Sequence, residues 1–302
     1  MGNEAKKGAG SGYSWLLATI FFFSTYEAVN KHIVGRIDPF QVNFIRFLAG
    51  GLILLAVAAW KRELRVSPRD FALCALAGVV NVVVSMSLIN LSLAARGASA
   101  AVSAILFSCN PIFVSIFASI LDGERMDGRK VAALALGVAG TALISLEKIG
   151  SGPEGLLGPA LAVLSAAFFG FYTVLGRRIS VRTGSLRMNA WSFTTGSLVL
   201  LALLALTDRP IARFDPSIAG WVAYLSVFVT GIAYIAYFKG LALAGAGRGS
   251  LVFFLKPVFA TAIAFVFLGE RVGLPVYAGV ALILAGIWMT VRRDISAKKS
   301  GD

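Results

Sequence analysis

Side chains able to bind a solute or move a proton are scarce in this chain, and several stand where a charge is least welcome. Lys256 precedes Pro257 at the head of "LKPVFATAIAFVFLGER" (255–271), twelve residues before Leu268. That is roughly 18 Å along a helix, near the middle of an apolar run. An ionisable group at a bilayer centre costs at least about 2.5–3.5 kcal/mol, so each one calls for a partner or a task. Proline removes one backbone hydrogen bond and frees a carbonyl that can line a cavity. A cation beside such an opening could hold a carboxylate; the alternative is a side chain that snorkels to the boundary. In "CNPIFVSIFASILDGER" (109–125), Asn110 beside Pro111 is the neutral counterpart, an amide that both donates and accepts. Glu27 is the only acidic residue well inside a run, and Lys31 follows at i+4. A proton-coupling role for Glu27, or a pair with Lys256, therefore competes with an ion pair along one helix. Arg46 lies inside the second run, as a structural anchor on carbonyls or Glu27, or as a solute contact.

Neutral polar residues recur at helical spacing around these charges. Asn81, Ser85 and Ser92 share one face of a third run, and Ser99, Ser103 and Asn110 share one face of a fourth. Thr230, Tyr234 and Tyr237 mark an eighth. Interhelical hydrogen bonds, worth about 0.6 kcal/mol each, explain any single serine; three converging faces instead suggest a polar cavity. Tyr172 and Trp191 could add aromatic walls that stack on rings or cations. His32, the sole histidine, falls at the outer end of the first run and suits an interface better than a proton relay. Cys74 and Cys109 both lie inside runs and read as small packing residues, not a disulfide framework.

The elements that must position these groups follow from composition. The 302 residues are 58% hydrophobic and 14% charged, against about a quarter charged in a soluble domain. Runs long enough to cross a ~30 Å hydrocarbon core recur ten times, near 15–33, 40–60, 71–92, 98–121, 129–147, 156–177, 187–206, 218–240, 249–268 and 275–292. An all-α integral membrane protein of ten transmembrane helices is expected. The net charge of +13 is not spread evenly, because 19 of the 28 Lys and Arg fall on one set of alternating loops and 7 on the other. The positive-inside rule then puts both termini in the cytoplasm. No basic face with stacking aromatics is available for nucleic acid. The first run lacks a small-residue cleavage site and reads as an uncleaved helix, not a signal peptide.

Shifted by 146 residues, the chain matches itself. Pro111 meets Pro257, Gly123-Glu124-Arg125 meets Gly269-Glu270-Arg271, Tyr26 meets Tyr172, Asn43 meets Asn189, Gly50 meets Gly196 and Gly140 meets Gly286. The halves join at "EKIGSGPEGLLGP" (147–159), which cannot continue a helix. Each half holds five runs, and five is odd, so the second half enters the membrane reversed. Two inverted five-helix repeats of opposite polarity can exchange conformations, which is a transporter architecture. The expected layout is a cytoplasmic tail (1–14), a first repeat (15–149), a linker (150–155), a second repeat (156–292) and a cytoplasmic tail (293–302). Small-xxx-small spacing at Ala133, Gly137 and Thr141, and at Ala281 and Ala285, marks the fifth and tenth helices as close-packing braces, one for each half.

The paired frames "NPIF…DGER" and "KPVF…LGER", with "PFQVNFIRFLAGGLILL" (39–55) and its arginine Arg46, resemble the drug/metabolite transporter superfamily, EamA type. The likeness covers essentially the whole chain, and within the family its character is most similar to the YddG-type (aromatic) amino-acid exporters. One departure is Asp122, where an apolar residue is usual before Gly-Glu, which leaves the end of the fourth helix open. The resemblance implies export of small metabolites, foremost aromatic or other neutral amino acids, across a bacterial-type cytoplasmic membrane by alternating access around a central cavity. It implies a small-molecule substrate and the lipid bilayer as partners, no cofactor, and a chain that can act as a monomer. Exchange of another metabolite or drug-like solute is the alternative, and a channel or receptor scaffold the rival of another class. With one histidine, two cysteines inside runs and one intramembrane acid, an enzyme has little to work with. If Glu27 couples protons to transport, Glu27→Gln should flatten the pH dependence of uptake into proteoliposomes; an unchanged profile leaves Glu27 as the partner of Lys31.

Overall fold

The computed structural model describes residues 2–33, 35–94, 106–146, 157–259, 262 and 273–296. Within them the chain is helices joined by short loops, as a bilayer requires: lipid offers no hydrogen-bond partners, so backbone groups must be satisfied inside each helix. Ten helices follow in order. They are α1 (Gly2–Ile33), α2 (Pro39–Trp60), α3 (Pro68–Ala94), α4 (Asn110–Asp122, entered through 106–109), α5 (Gly128–Leu146), α6 (Leu157–Thr183), α7 (Ser185–Leu206), α8 (Pro216–Ala244), α9 (246–259) and α10 (Leu274–Ser296). Five of them are long and apolar enough to cross a membrane by themselves, and Leu106–Asp122 and Tyr277–Met289 are shorter apolar helices. Residues 2–14, expected as a tail, continue α1.

Local chemistry sets the boundaries. Asp38 caps α2, accepting from the amides of Phe40 at 2.8 Å and Gln41 at 3.2 Å, with Pro39 at the first helical position. Ser67 and Pro68 start α3 in the same manner. Gly184 (φ 87°) and Gly245 (φ 86°) each make a one-residue corner between long helices, a conformation L side chains resist.

Contacts between helices obey the repeat. Helix α1 packs on α8 as α6 packs on α3; α2 packs on α7 across the centre, and α5 packs on α10. These are the pairings of two inverted five-helix repeats about a pseudo-two-fold axis. The small residues of α5 and α10 brace each other instead of bracing separate halves: Gly140 lies against the Gly279 carbonyl and Gly286 against the Ala133 carbonyl. With no hydrophobic drive between helices in lipid, close backbone approach holds such a seam.

The helices that cross the centre are not regular. Val79–Ser85 of α3 and Leu225–Ile232 of α8 are wound as π-helix, and the two segments begin 146 residues apart. A π turn widens the helix and displaces one backbone bond, a feature that recurs at functional sites. Each π segment is met by a glycine of the other repeat: Gly196 of α7 against the Gly78 carbonyl, Gly50 of α2 against the Ser226 carbonyl. Each is also tied by a hydroxyl. Ser165 Oγ donates to the Ser85 carbonyl at 2.7 Å, and Thr19 Oγ1, its repeat equivalent, donates to the Ala233 carbonyl at 3.1 Å. A Cβ at Gly196 would sit 2.6 Å from the Gly78 oxygen, so α7 and α3 would have to separate. Gly196→Ala should destabilise the fold by about 1–3 kcal/mol, read as an earlier thermal unfolding midpoint in detergent, whereas Gly220→Ala, in open space, should not.

Candidate functional site

The repeated frame "N/K-P…GER" becomes intelligible helix by helix. At Pro111 the missing N–H would have bonded the Phe107 carbonyl; the Asn110 side-chain amide donates to that oxygen instead, at 3.0 Å. The chain breaks step at Cys109 and α4 starts at Asn110. In the second repeat Ser250–Phe254 is wound as 3₁₀-helix before 255–259 resumes, and the Lys256 carbonyl accepts from Ser24 Oγ at 3.2 Å. Both prolines thus mark interrupted helices at equivalent heights, and side chains from α1 and α4 take up backbone groups there. At the far end of the frame Gly123 adopts φ 67° and terminates α4 in the left-handed conformation, so α4 runs intact through Asp122.

Lys256 is half-buried, and its ammonium stands 5.7 Å from the centre of the Phe107 ring on α4, so the two interrupted helices meet near it. Asn110 is fully buried with its Oδ1 unpartnered among the described residues. Asn81, on the π segment of α3, is buried with both amide atoms unpartnered among the described residues, and it neighbours the Tyr234 hydroxyl of α8. Tyr234 packs on Phe47, whose ring lies 4.5 Å from the Arg46 guanidinium. Tyr172 is fully buried near Ser192, without a well-formed hydrogen bond to it. These residues come together around the centre.

Other expected site residues are placed elsewhere. Ser85 and Ser92 turn to α6, bonding the carbonyls of Ser165 (3.0 Å) and Gly158 (2.7 Å), so that face of α3 is largely interhelical glue. Trp191 packs edge-on against Phe71 and donates its indole N–H to the Leu64 carbonyl at 3.2 Å, near the end of the bundle that carries the 61–67 loop. Arg46 has Asn43 and two rings for neighbours, not carbonyls. His32 packs on Trp221. Ser99 and Ser103 lie outside the described residues, as does the side chain of Glu27.

Sequence reasoning missed two features. One is a continuous cluster of buried rings beneath Tyr234: Phe23, Phe47, Phe169, Phe193, Tyr237 and Phe253, linked at centroid separations of 4.9–6.4 Å. Their spacing is that of ordinary apolar helix faces, so nothing in the sequence singles them out. The other is a set of polar bonds that cross between repeats at both ends. At the basic end Asp122 of α4 holds Arg177 and Arg178 of α6, each at 3.1 Å, and Arg177 also donates to the Leu241 carbonyl of α8. Glu124 accepts from the Gly247 amide at 3.2 Å and pairs with Lys130 at 3.3 Å. At the other end Arg209 pairs with Asp38 at 2.9 Å and Thr25 bonds Tyr224 at 2.8 Å. Asp122, the departure from the family pattern, was the available signal.

The model of the EamA-like transporter family matches residues 10–146 and again 156–292, one match for each structural repeat. The chain belongs to the EamA-like transporter family. An uncharacterized transporter of Clostridium kluyveri is 32% identical over 96% of this chain and 95% of its own. A Streptantibioticus cattleyicolor protein named "probable terminal-alkyne amino-acid exporter" is 25% identical over 95% of each chain. A crystal structure at 21% identity superposes with a TM-score of 0.78 over 93% of this chain and 96% of that one, which shows a shared fold. This EamA transporter is therefore an integral membrane protein that carries a small molecule, and no enzyme. Because the Lys256 side chain is not what bonds Ser24, Lys256→Ala should leave the purified protein folded while lowering its transport rate roughly tenfold, the scale of one lost charge-assisted contact. An unaltered rate would mean that the ammonium only snorkels.

Proposed function

We propose that this chain exports small metabolites, foremost aromatic or other neutral amino acids, by alternating access across a bacterial-type cytoplasmic membrane with both termini inside. The observation that carries this reading is the placement of cross-repeat bonds at both ends of a bundle whose central helices are interrupted at symmetry-related heights. Inverted repeats let one end open while the other closes, provided each end has contacts that can be exchanged. Asp122 with Arg177 and Arg178, and Glu124 with Gly247, are contacts of that kind at the basic end. Asp38 with Arg209 is their counterpart opposite.

In this reading the solute occupies the level of the helix breaks, meeting Lys256, Asn110 and Asn81 with Tyr172 and Tyr234 as walls, while the ring cluster closes the path toward the basic side. Ser103 joins it from the fourth helix, Glu27 supplies a proton site, Pro111 and Pro257 act as hinges, and Ser85 and Trp191 support the walls. Kinship to a protein named as an amino-acid exporter favours amino acids over other solutes.

Counterflow into proteoliposomes preloaded with unlabelled amino acids tests the substrate and the carrier together; a channel would give no counterflow. The gate has its own test. In a background lacking Cys74 and Cys109, a cysteine at the buried Leu241 position should react with maleimide at least threefold faster once Asp122→Asn releases the two arginines. Equal labelling in both backgrounds would remove Asp122 from the gate.

A further inference from the structure

Arg46 is a harder problem than Lys256. Its residue is 3% exposed, seven residues into α2 and roughly 10 Å along that helix from Pro39. A guanidinium keeps its charge at any pH a cell reaches and carries five N–H donors. Among the described residues, the only oxygen that accepts from it is Asn43 Oδ1, at 3.1 Å from Nε; one terminal nitrogen has the Met86 thioether at 3.4 Å, a weak acceptor. The rings of Tyr26 and Phe47 cover the group at 4.9 and 4.5 Å. They lend cation–π attraction but no counter-charge. No carboxylate among the described residues forms a salt bridge with it.

Polar atoms of the neighbouring asparagines also lack partners among the described residues, Asn81 Oδ1 among them. Asn43 Nδ2 and Asn81 Nδ2 are buried donors with no partner among the described residues, and Asn81 neighbours Tyr234, which packs on Phe47 beside Arg46. A buried cation without a counter-charge is costly on its own and complementary to an anion with two acceptor oxygens. Arginine meets a carboxylate through two parallel hydrogen bonds. A single desolvated positive charge is balanced by a monoanion; a dianion such as a phosphate ester would leave one charge buried without a partner.

We infer that Arg46, with Asn43 and Asn81, is the anchor that receives the carboxylate of the transported solute. The inference rests on the transporter reading above and assigns the carboxylate of that site to one residue. The anchor lies toward the end away from the basic loops and touches the ring cluster through Phe47. A solute held there has its carboxylate at Arg46 and its remaining groups toward the helix breaks.

The test uses the purified full-length chain and a panel of neutral amino acids. Each is paired with its decarboxylated amine and with its deaminated acid, for example L-phenylalanine, phenethylamine and 3-phenylpropionate. Binding is read from ligand-induced thermal stabilisation. The wild type should bind carboxylates at least tenfold more tightly than the matching amines. Arg46→Gln should abolish that difference, and Arg46→Lys should keep part of it. Should Arg46→Gln not fold, Asn43→Asp decides, because a fixed carboxylate beside the guanidinium must compete with the ligand and lower carboxylate affinity at least tenfold. Retention of the preference in Arg46→Gln, or unchanged affinity in Asn43→Asp, overturns the anchor while leaving transport intact. Arg46-dependent binding of the deaminated acids alone supports the anchor and rejects the amino-acid reading. If the folded wild type binds no carboxylate at all, the anchor is overturned, and counterflow with another solute would show that the carrier reading survives.

Discussion

Lipid cannot hydrogen-bond a peptide group, and the rest of this structure depends on that. A helix crossing the bilayer can be irregular only where other parts of the protein take up the groups it releases. Here the irregular turns are the π segments of α3 and α8 and the broken starts of α4 and α9, and protein surrounds each of them. The Asn110 amide replaces the bond that Pro111 cannot make, Ser24 serves the Lys256 carbonyl, and Ser165 and Thr19 serve the ends of the two π segments. Irregular backbone is therefore concentrated on the pseudo-two-fold axis, where one repeat can satisfy the other.

The same exchange explains why the halves are not identical copies. Asn110 and Lys256 occupy equivalent positions, but one mends its own helix while the other reaches over Phe107. Arg46 and its equivalent Ser192 differ more sharply: a guanidinium on one side of the axis, a small hydroxyl close to Tyr172 on the other. Symmetry supplies two interchangeable frames, and departures from it give the central space a positive pole near Arg46 and a closed aromatic side.

Much of this was legible beforehand. Ten apolar runs, the 146-residue repeat and the odd parity of each half lead to inverted five-helix repeats, because length, hydropathy and parity are properties of the chain alone. The small-residue spacing of α5 and α10 announced a close approach, while Gly50, Gly123, Gly140, Gly196 and Gly286 stood out only as matches of the repeat. Side-chain partners were harder to read. Asn81 and Ser85 share a helical face on an ideal α-helix, but the π turn between them rotates that face, and Ser85 bonds α6 while Asn81 stays at the centre. Trp191 sits on the right helix but near its end, where the 61–67 loop takes its N–H. Asp122 raised a question about the end of α4, and the answer lay on α6.

By itself, then, the sequence determined the helices, their number, their inversion and the presence of charges that lipid would not tolerate. Those are local and compositional constraints, enforced by a solvent with no hydrogen bonds to offer. Only the tertiary structure decided which charges are partnered. Arg177 and Arg178 find Asp122 across the repeat boundary, and Lys256 finds a ring. Arg46 is left among rings and amides because the helices facing it bring asparagines, a tyrosine and a methionine, with no acid among the described residues. Partnership is a matter of which faces meet within about 4 Å, and sequence spacing along one helix does not encode which faces of other helices will arrive there.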